Sequence, residues 1–103
     1  MTRGTTPTET YTISNLIDLS QCSQIWVTIS DWSCQKQTYD KDRLTLNNEE
    51  HKISLKLTQE ETLALTPGNA FAQIRFLYND GTAFVSERIE FVVKDVENDE
   101  VME

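Results

Sequence analysis

No apolar run in this 103-residue chain approaches the roughly 18–20 residues that a membrane span needs. The N-terminus carries one arginine and then polar residues, with no apolar segment, so no signal peptide is expected and cytoplasmic synthesis is. Lys and Arg total nine against seventeen Asp and Glu, a formal net charge of −8, and the bases form no cluster. A negative chain repels phosphate backbones, so nucleic acid is not an expected partner, and neither is a membrane.

Catalytic signatures are equally scarce. There is a single histidine, His51, with no second histidine or cysteine pair near it, and it reads as a surface residue. Zinc needs three or four convergent ligands at recognisable spacings, which are absent. Asp40, Asp42, Asn47 and Glu50 offer oxygens but lack the central glycine and alternate spacing of a calcium loop. With three glycines in all, there is no Gly-rich phosphate loop, and no G-x-S-x-G or Cys-His arrangement occurs either. A glycosidase-like carboxylate pair needs a cleft that a domain of this size has little room to build. The sequence therefore implies neither an enzyme nor a cofactor nor a metal. Cys22 and Cys34 are read as free thiols in a reducing cytosol. If the segment between them turns near Trp32, Cys34 faces a residue near position 30, not Cys22.

What the chain has in quantity is period-two alternation. Strands are expected at 10–14, 24–32, 34–40, 43–47, 51–57, 69–78 and 82–95. In 24–32, Ile25, Val27 and Ile29 share one face while Trp26, Thr28, Ser30 and Trp32 share the other. The polar strand 34–40 suits a sheet edge. An Asn-Asn turn is expected at 47–50 and a hairpin at Asn79-Asp80-Gly81. Thr58 and Glu61 have capping-box spacing, which predicts one or two helical turns carrying Leu63 inward and ending at Pro67-Gly68. Ser86-Glu87 interrupts the apolar pattern and marks a bulge or a crossover. Seven short strands with regular turn signals predict a single all-β, immunoglobulin-like β-sandwich with one short helical turn; a small barrel is the alternative.

The domain is expected to span 9–94, between an extended arm at 1–8 and an acidic tail at 95–103. That tail, DVENDEVME, holds five acids and no base, so the other ninety-four residues carry only −3. Gly4 and Pro7 exclude a helix from the arm, and its threonines favour extended backbone. An arm of this kind suits the edge or outer face of the sandwich, in its own chain or in a neighbour. Trp26 and Trp32 lie opposite the apolar face of their strand, and Phe71 and Leu77 lie opposite Ile74 and Phe76. A strand whose outward face carries such side chains covers something or is covered. Trp26, Trp32, Phe71 and Leu77, with Thr5 and Thr6 of the arm, are the candidate interface residues. A hydrophobic fraction of 38% is modest for one domain, which also points to a homo-oligomer.

The stretches RGTTPT (3–8), LTQEETLAL (57–65), NDGTA (79–83) and DEV (99–101) occur together here. In that combination the chain resembles a group of proteins of about this length encoded among the tail and structural genes of phages and prophages of Gram-positive gut bacteria. The segment 73–93 also resembles the immunoglobulin-like N-terminal domains of phage upper-baseplate proteins. The resemblance implies a virion-associated structural protein of the tail or baseplate, binding other virion proteins or itself and located in the virion. Trp26, Trp32 and the cysteines depart from the group. The alternative is a carbohydrate-binding or host-surface adhesion module, with Trp26, Trp32 and Tyr39 stacking on sugar rings.

Overall fold

The computed structural model describes residues 1–33 and 35–95. Within them the chain is an all-β sandwich of two antiparallel sheets. Its elements are β1 (Thr8–Thr12), β2 (Cys22–Asp31), β3 (Lys36–Tyr39), β4 (Leu44–Asn47), β5 (Lys52–Lys56), α1 (Gln59–Leu63), β6 (Gly68–Tyr78), β7 (Ala83–Val85) and β8 (Ile89–Val93). The smaller sheet has the order β1-β5-β4. The larger has β3-β2-β6, with β7 and β8 sharing the outer side of β6. An immunoglobulin constant-type sandwich groups its second strand with the first and fifth. Here β2 lies between β3 and β6 instead.

The alternation in the sequence translates directly into the core. Ile25, Val27 and Ile29 of β2 and Ala70, Ala72, Ile74 and Phe76 of β6 are buried, as are Ile53 and Leu55 of β5 and Leu57 just after it. Each large aliphatic side chain so buried contributes roughly 1.5–3 kcal/mol.

β7 and β8 are the two parts of one interrupted strand. Arg75 pairs with Val85 and Phe76 with Phe84, whereas Ala72 pairs with Ile89 and Ala70 with Phe91. The register advances by one residue between these ladders, so Glu87 and Arg88 together face Gln73: a β-bulge. Ser86 holds the break, its amide donating to the Ile74 carbonyl (2.8 Å) and its hydroxyl accepting from the Ile74 amide (2.9 Å). The extra residue reverses parity. Phe84 points inward before it, and Ile89, Phe91 and Val93 point inward after it.

Local chemistry explains the turns. The Thr58–Glu61 capping box starts α1 with both of its hydrogen bonds made. Leu63, expected inside, is half-buried, because the short turn directs Thr62 and Leu65 into the interior instead. Gly81 takes positive φ in the β6–β7 hairpin. In the β4–β5 turn the left-handed position belongs to His51, not to either asparagine, so β5 starts one residue later than the apolar pattern suggests.

Cys22 is a free, buried thiol at the start of β2. Burial pushes its thiol up, with Lys41 opposing and Asp18 adding to the shift. Cys34 lies outside the described residues. Its neighbours Ser33 and Gln35 flank the far end of β2, a ten-residue strand and so about 30 Å from Cys22.

Residues 1–7 form the arm. Thr2 makes a parallel bridge to Lys94; the Arg3 amide donates to the Lys94 carbonyl (2.9 Å), and the Lys94 amide donates to the Met1 carbonyl (2.7 Å). The Arg3 guanidinium reaches Asp95 (2.6 Å) and the Leu63 carbonyl (2.8 Å). The buried Thr62 hydroxyl accepts from the Gly4 amide (3.0 Å) and lies 3.0 Å from the Thr5 carbonyl. The arm thus leaves β8, crosses α1 and enters β1. Within this chain it pairs with the end of β8. Of the acidic tail, only Asp95 is among the described residues.

Candidate interaction surface

The outward face of the larger sheet is a set of cross-strand rows fixed by register. Lys36, Ser30, Phe71 and Glu90 form one row; Thr38, Thr28 and Gln73 form the next. Trp26, Arg75 and Val85 form a third, and Gln24, Leu77 and Ala83 a fourth. Four of the six candidate interface residues lie on or beside this face, at two separate ends. Trp26 and Leu77, both half-buried, are at the β7 end, where the Arg75 guanidinium lies 5.6 Å from the Trp26 ring centroid. Phe71 and Trp32 are at the other end.

Trp32 is 61% exposed, yet it is held firmly. Its indole N–H donates to the Pro67 carbonyl (2.6 Å), and its ring lies against Gly68 so closely that a Cβ there would sit 2.8 Å from two ring atoms. Gly68 also has φ +125, a conformation other residues rarely adopt. The preceding residue, Asp31, is a buried carboxylate that organises the turn. It accepts from the amides of Ser33, Gln35 and Thr66 and from the Ser33 hydroxyl. Burial alone would raise its pKa, but these donors outweigh burial and hold the carboxyl below its ordinary value.

A groove of about 430 Å³ runs beside Trp32, lined by Ser30, Lys36, Phe71, Gln73 and Arg88 among others. The Arg88 guanidinium is 3.8 Å from the Phe71 ring centroid, a close cation–π contact. Arg88 comes from the bulge, where strand phase gives no guidance, so alternation could not place it on this face. Arg75 and Lys36 were legible in principle, since both fall in phase with outward residues.

The outer edge of this sheet is divided. The arm pairs with β8 at Val92–Lys94, whereas the edge of β7 is unpaired among the described residues. Val85 is 57% exposed and Phe84 40%. Behind them a cleft of about 510 Å³ opens between the sheets, lined by Ile13, Ile17, Phe76, Phe84 and Ile89 among others. Leu16, in the loop that borders it, is 87% exposed.

Thr5 and Thr6 are exposed on the arm and are not part of the outward face. Tyr39, expected to stack on sugars, is 5% exposed and points into the core, its hydroxyl donating to the Gln37 side chain. It cannot present a ring to a ligand. No group of three or more His, Cys, Asp or Glu among the described residues could hold a metal ion. No family model and no curated protein matches this chain.

Proposed function

We propose that this protein is a non-catalytic structural protein that works through protein–protein contacts, as a repeated copy within a phage tail or baseplate. The contact reading rests on one observation above the others: the β7 edge, unpaired among the described residues, with Phe84 and Val85 exposed beside an open apolar cleft. An edge strand with bare amides and carbonyls is a template for another strand, and natural proteins blunt it with shortness, bulges, lysine, proline or a covering segment. Ala83–Val85 is short and ends at the bulge, but among the described residues it has no lysine, proline or cover, while the end of β8 has its cover in the arm. A second chain laid against β7 would supply the missing pairing, and its side chains would close the cleft. A second copy of this protein is the simplest such partner. The virion assignment comes from the resemblance carried by RGTTPT, LTQEETLAL, NDGTA and DEV.

Two measurements test the two parts. Sedimentation equilibrium over a micromolar concentration series should give a mass above the 11.9 kDa of one chain. Mass spectrometry of particles purified after prophage induction should find the protein in the particle at a multiple of the copies of a single-copy component. A monomer throughout the series removes the self-contact. Particles that lack the protein remove the virion role.

A further inference from the structure

The groove beside Trp32 has no part in the β7 contact, and its chemistry differs. We propose that it binds an anionic saccharide, with Trp32 as the stacking platform and Arg88 and Lys36 as the carboxylate clamp.

Three observations converge on that ligand. The first is a rigid, exposed aromatic ring. Trp32 is fixed by Pro67, Gly68 and the Asp31 turn, so stacking a ligand on it requires little further ordering. Its indole N–H is already bonded, which leaves the ring to offer apolar contact. A flat apolar surface ringed by polar groups matches a pyranose, whose C–H face is apolar and whose rim is hydroxyls.

The second is unused polar capacity. The Ser30 hydroxyl makes no hydrogen bond among the described residues, and Gln73 uses its amide nitrogen on the Ser86 carbonyl while its oxygen stays available. The backbone beneath the groove is consumed by the β3-β2-β6 ladders, so no strand can add there and recognition falls to side chains. That disfavours an extended peptide, which binds sheets mainly through its main chain.

The third is charge. In a chain of net −8, Lys36 and Arg88 flank this groove with no ion-pair partner among the described residues. Arg88 is steadied over Phe71, so its planar fork of donors is oriented before a ligand arrives. Asp31 also borders the groove, but its carboxylate is occupied by the amides and hydroxyl of its own turn. Glu90 shares the row of Phe71 but does not line the groove. Two lining cations against no free lining carboxylate select a negative ligand, and an arginine suits a carboxylate in bidentate geometry. The volume lies within the roughly 300–1,000 Å³ of small-molecule sites and suits one or two sugar rings.

The test uses the whole protein with Trp26→Phe, so that Trp32 alone reports by fluorescence. A hyaluronan tetrasaccharide and trigalacturonate serve as anionic probes, cellotetraose as a neutral one and a short polyglutamate as an acidic peptide. The expected result is a saturable change in Trp32 emission with an anionic saccharide, weakening as salt is added. Cellotetraose should bind at least about tenfold more weakly, as loss of a charge-assisted contact worth over 1.4 kcal/mol requires. Arg88→Gln should cost a similar factor with the fold unchanged by far-UV spectrum, and Lys36→Gln a smaller one. In calorimetry, Trp32→Ala should abolish binding. The proposal is overturned if neither anionic saccharide binds at millimolar concentration, if cellotetraose binds as well, or if polyglutamate binds equally and survives Trp32→Ala. That last outcome would make the groove a general acidic-peptide surface.

Discussion

β7 and β8 flank the same strand, β6, and are separated by a single bulge, yet among the described residues one half of this edge is covered at its end and the other is bare. Along β8 the arm pairs with Val92–Lys94 and is itself anchored through Thr62 and the Leu63 carbonyl. Along the outer side of β7 nothing pairs among the described residues, and the side chains are apolar. The cover uses polar, extended-favouring residues with Gly4 at φ +78 where the arm turns onto α1. The difference teaches that this chain protects its edge selectively. A uniformly covered edge would read as defence against aggregation; a half-covered one reads as a directed contact.

The most severe way to break the comparison is to unseat the covered half. Val93→Asp places a carboxylate at a site of β8 that is 1% exposed. It forfeits a large part of the roughly 1.5–3 kcal/mol of an aliphatic burial and adds the greater cost of an unpaired buried charge. The expected outcome is loss of the cooperative thermal transition.

Uncovering the protected half is milder. Removing residues 1–5 forfeits several hydrogen bonds worth roughly 0.5–1.5 kcal/mol each, partly offset by the chain entropy regained. Stability should fall by about 1–3 kcal/mol in urea. Association should rise, because β8 then offers a second unpaired edge. Thr62→Val isolates the anchor: the Gly4 amide loses its acceptor, costing about 1 kcal/mol. Amide exchange at Lys94, which bonds the arm, should quicken more than exchange within β2.

Much of this was legible because it is local. Alternation placed the core faces of β2, β5 and β6, and the T-x-x-E spacing placed α1. Sheet membership was not legible: that β2 pairs with β6 and not with β1 depends on residues some fifty apart, and alternation is identical either way. The bulge was visible as an interruption at Ser86-Glu87, but its consequence, the parity reversal that brings Arg88 over Phe71, needs the register on both sides. Asp31 was hidden for another reason. A buried carboxylate becomes stable only through the amides of Ser33, Gln35 and Thr66, and amides carry no sequence signal.

The smallest effect expected is one of pH, and it separates the Asp31 turn from the edge. The folded-state pKa of Asp31 lies below its ordinary value, so its contribution is complete above the unfolded carboxyl pKa of about 4 and is lost as pH falls through the folded value. Trp32 emission in the Trp26→Phe background should shift across that acidic window and be flat from pH 5 to 8. In Asp31→Asn the acid-dependent shift should disappear, while association through β7 should be unchanged at neutral pH.

The central claim, that the bare half of the edge carries the contact and the covered half does not, is tested most directly by a matched pair of lysines. Val85 and Val92 both point outward, both are exposed, and they lie on the two halves of the same edge. A lysine on an edge strand opposes pairing with another chain. Sedimentation velocity at matched concentration should give an oligomer for the wild-type protein and for Val92→Lys, and a monomer for Val85→Lys. A monomeric wild type, or an oligomer broken by Val92→Lys and spared by Val85→Lys, would contradict it.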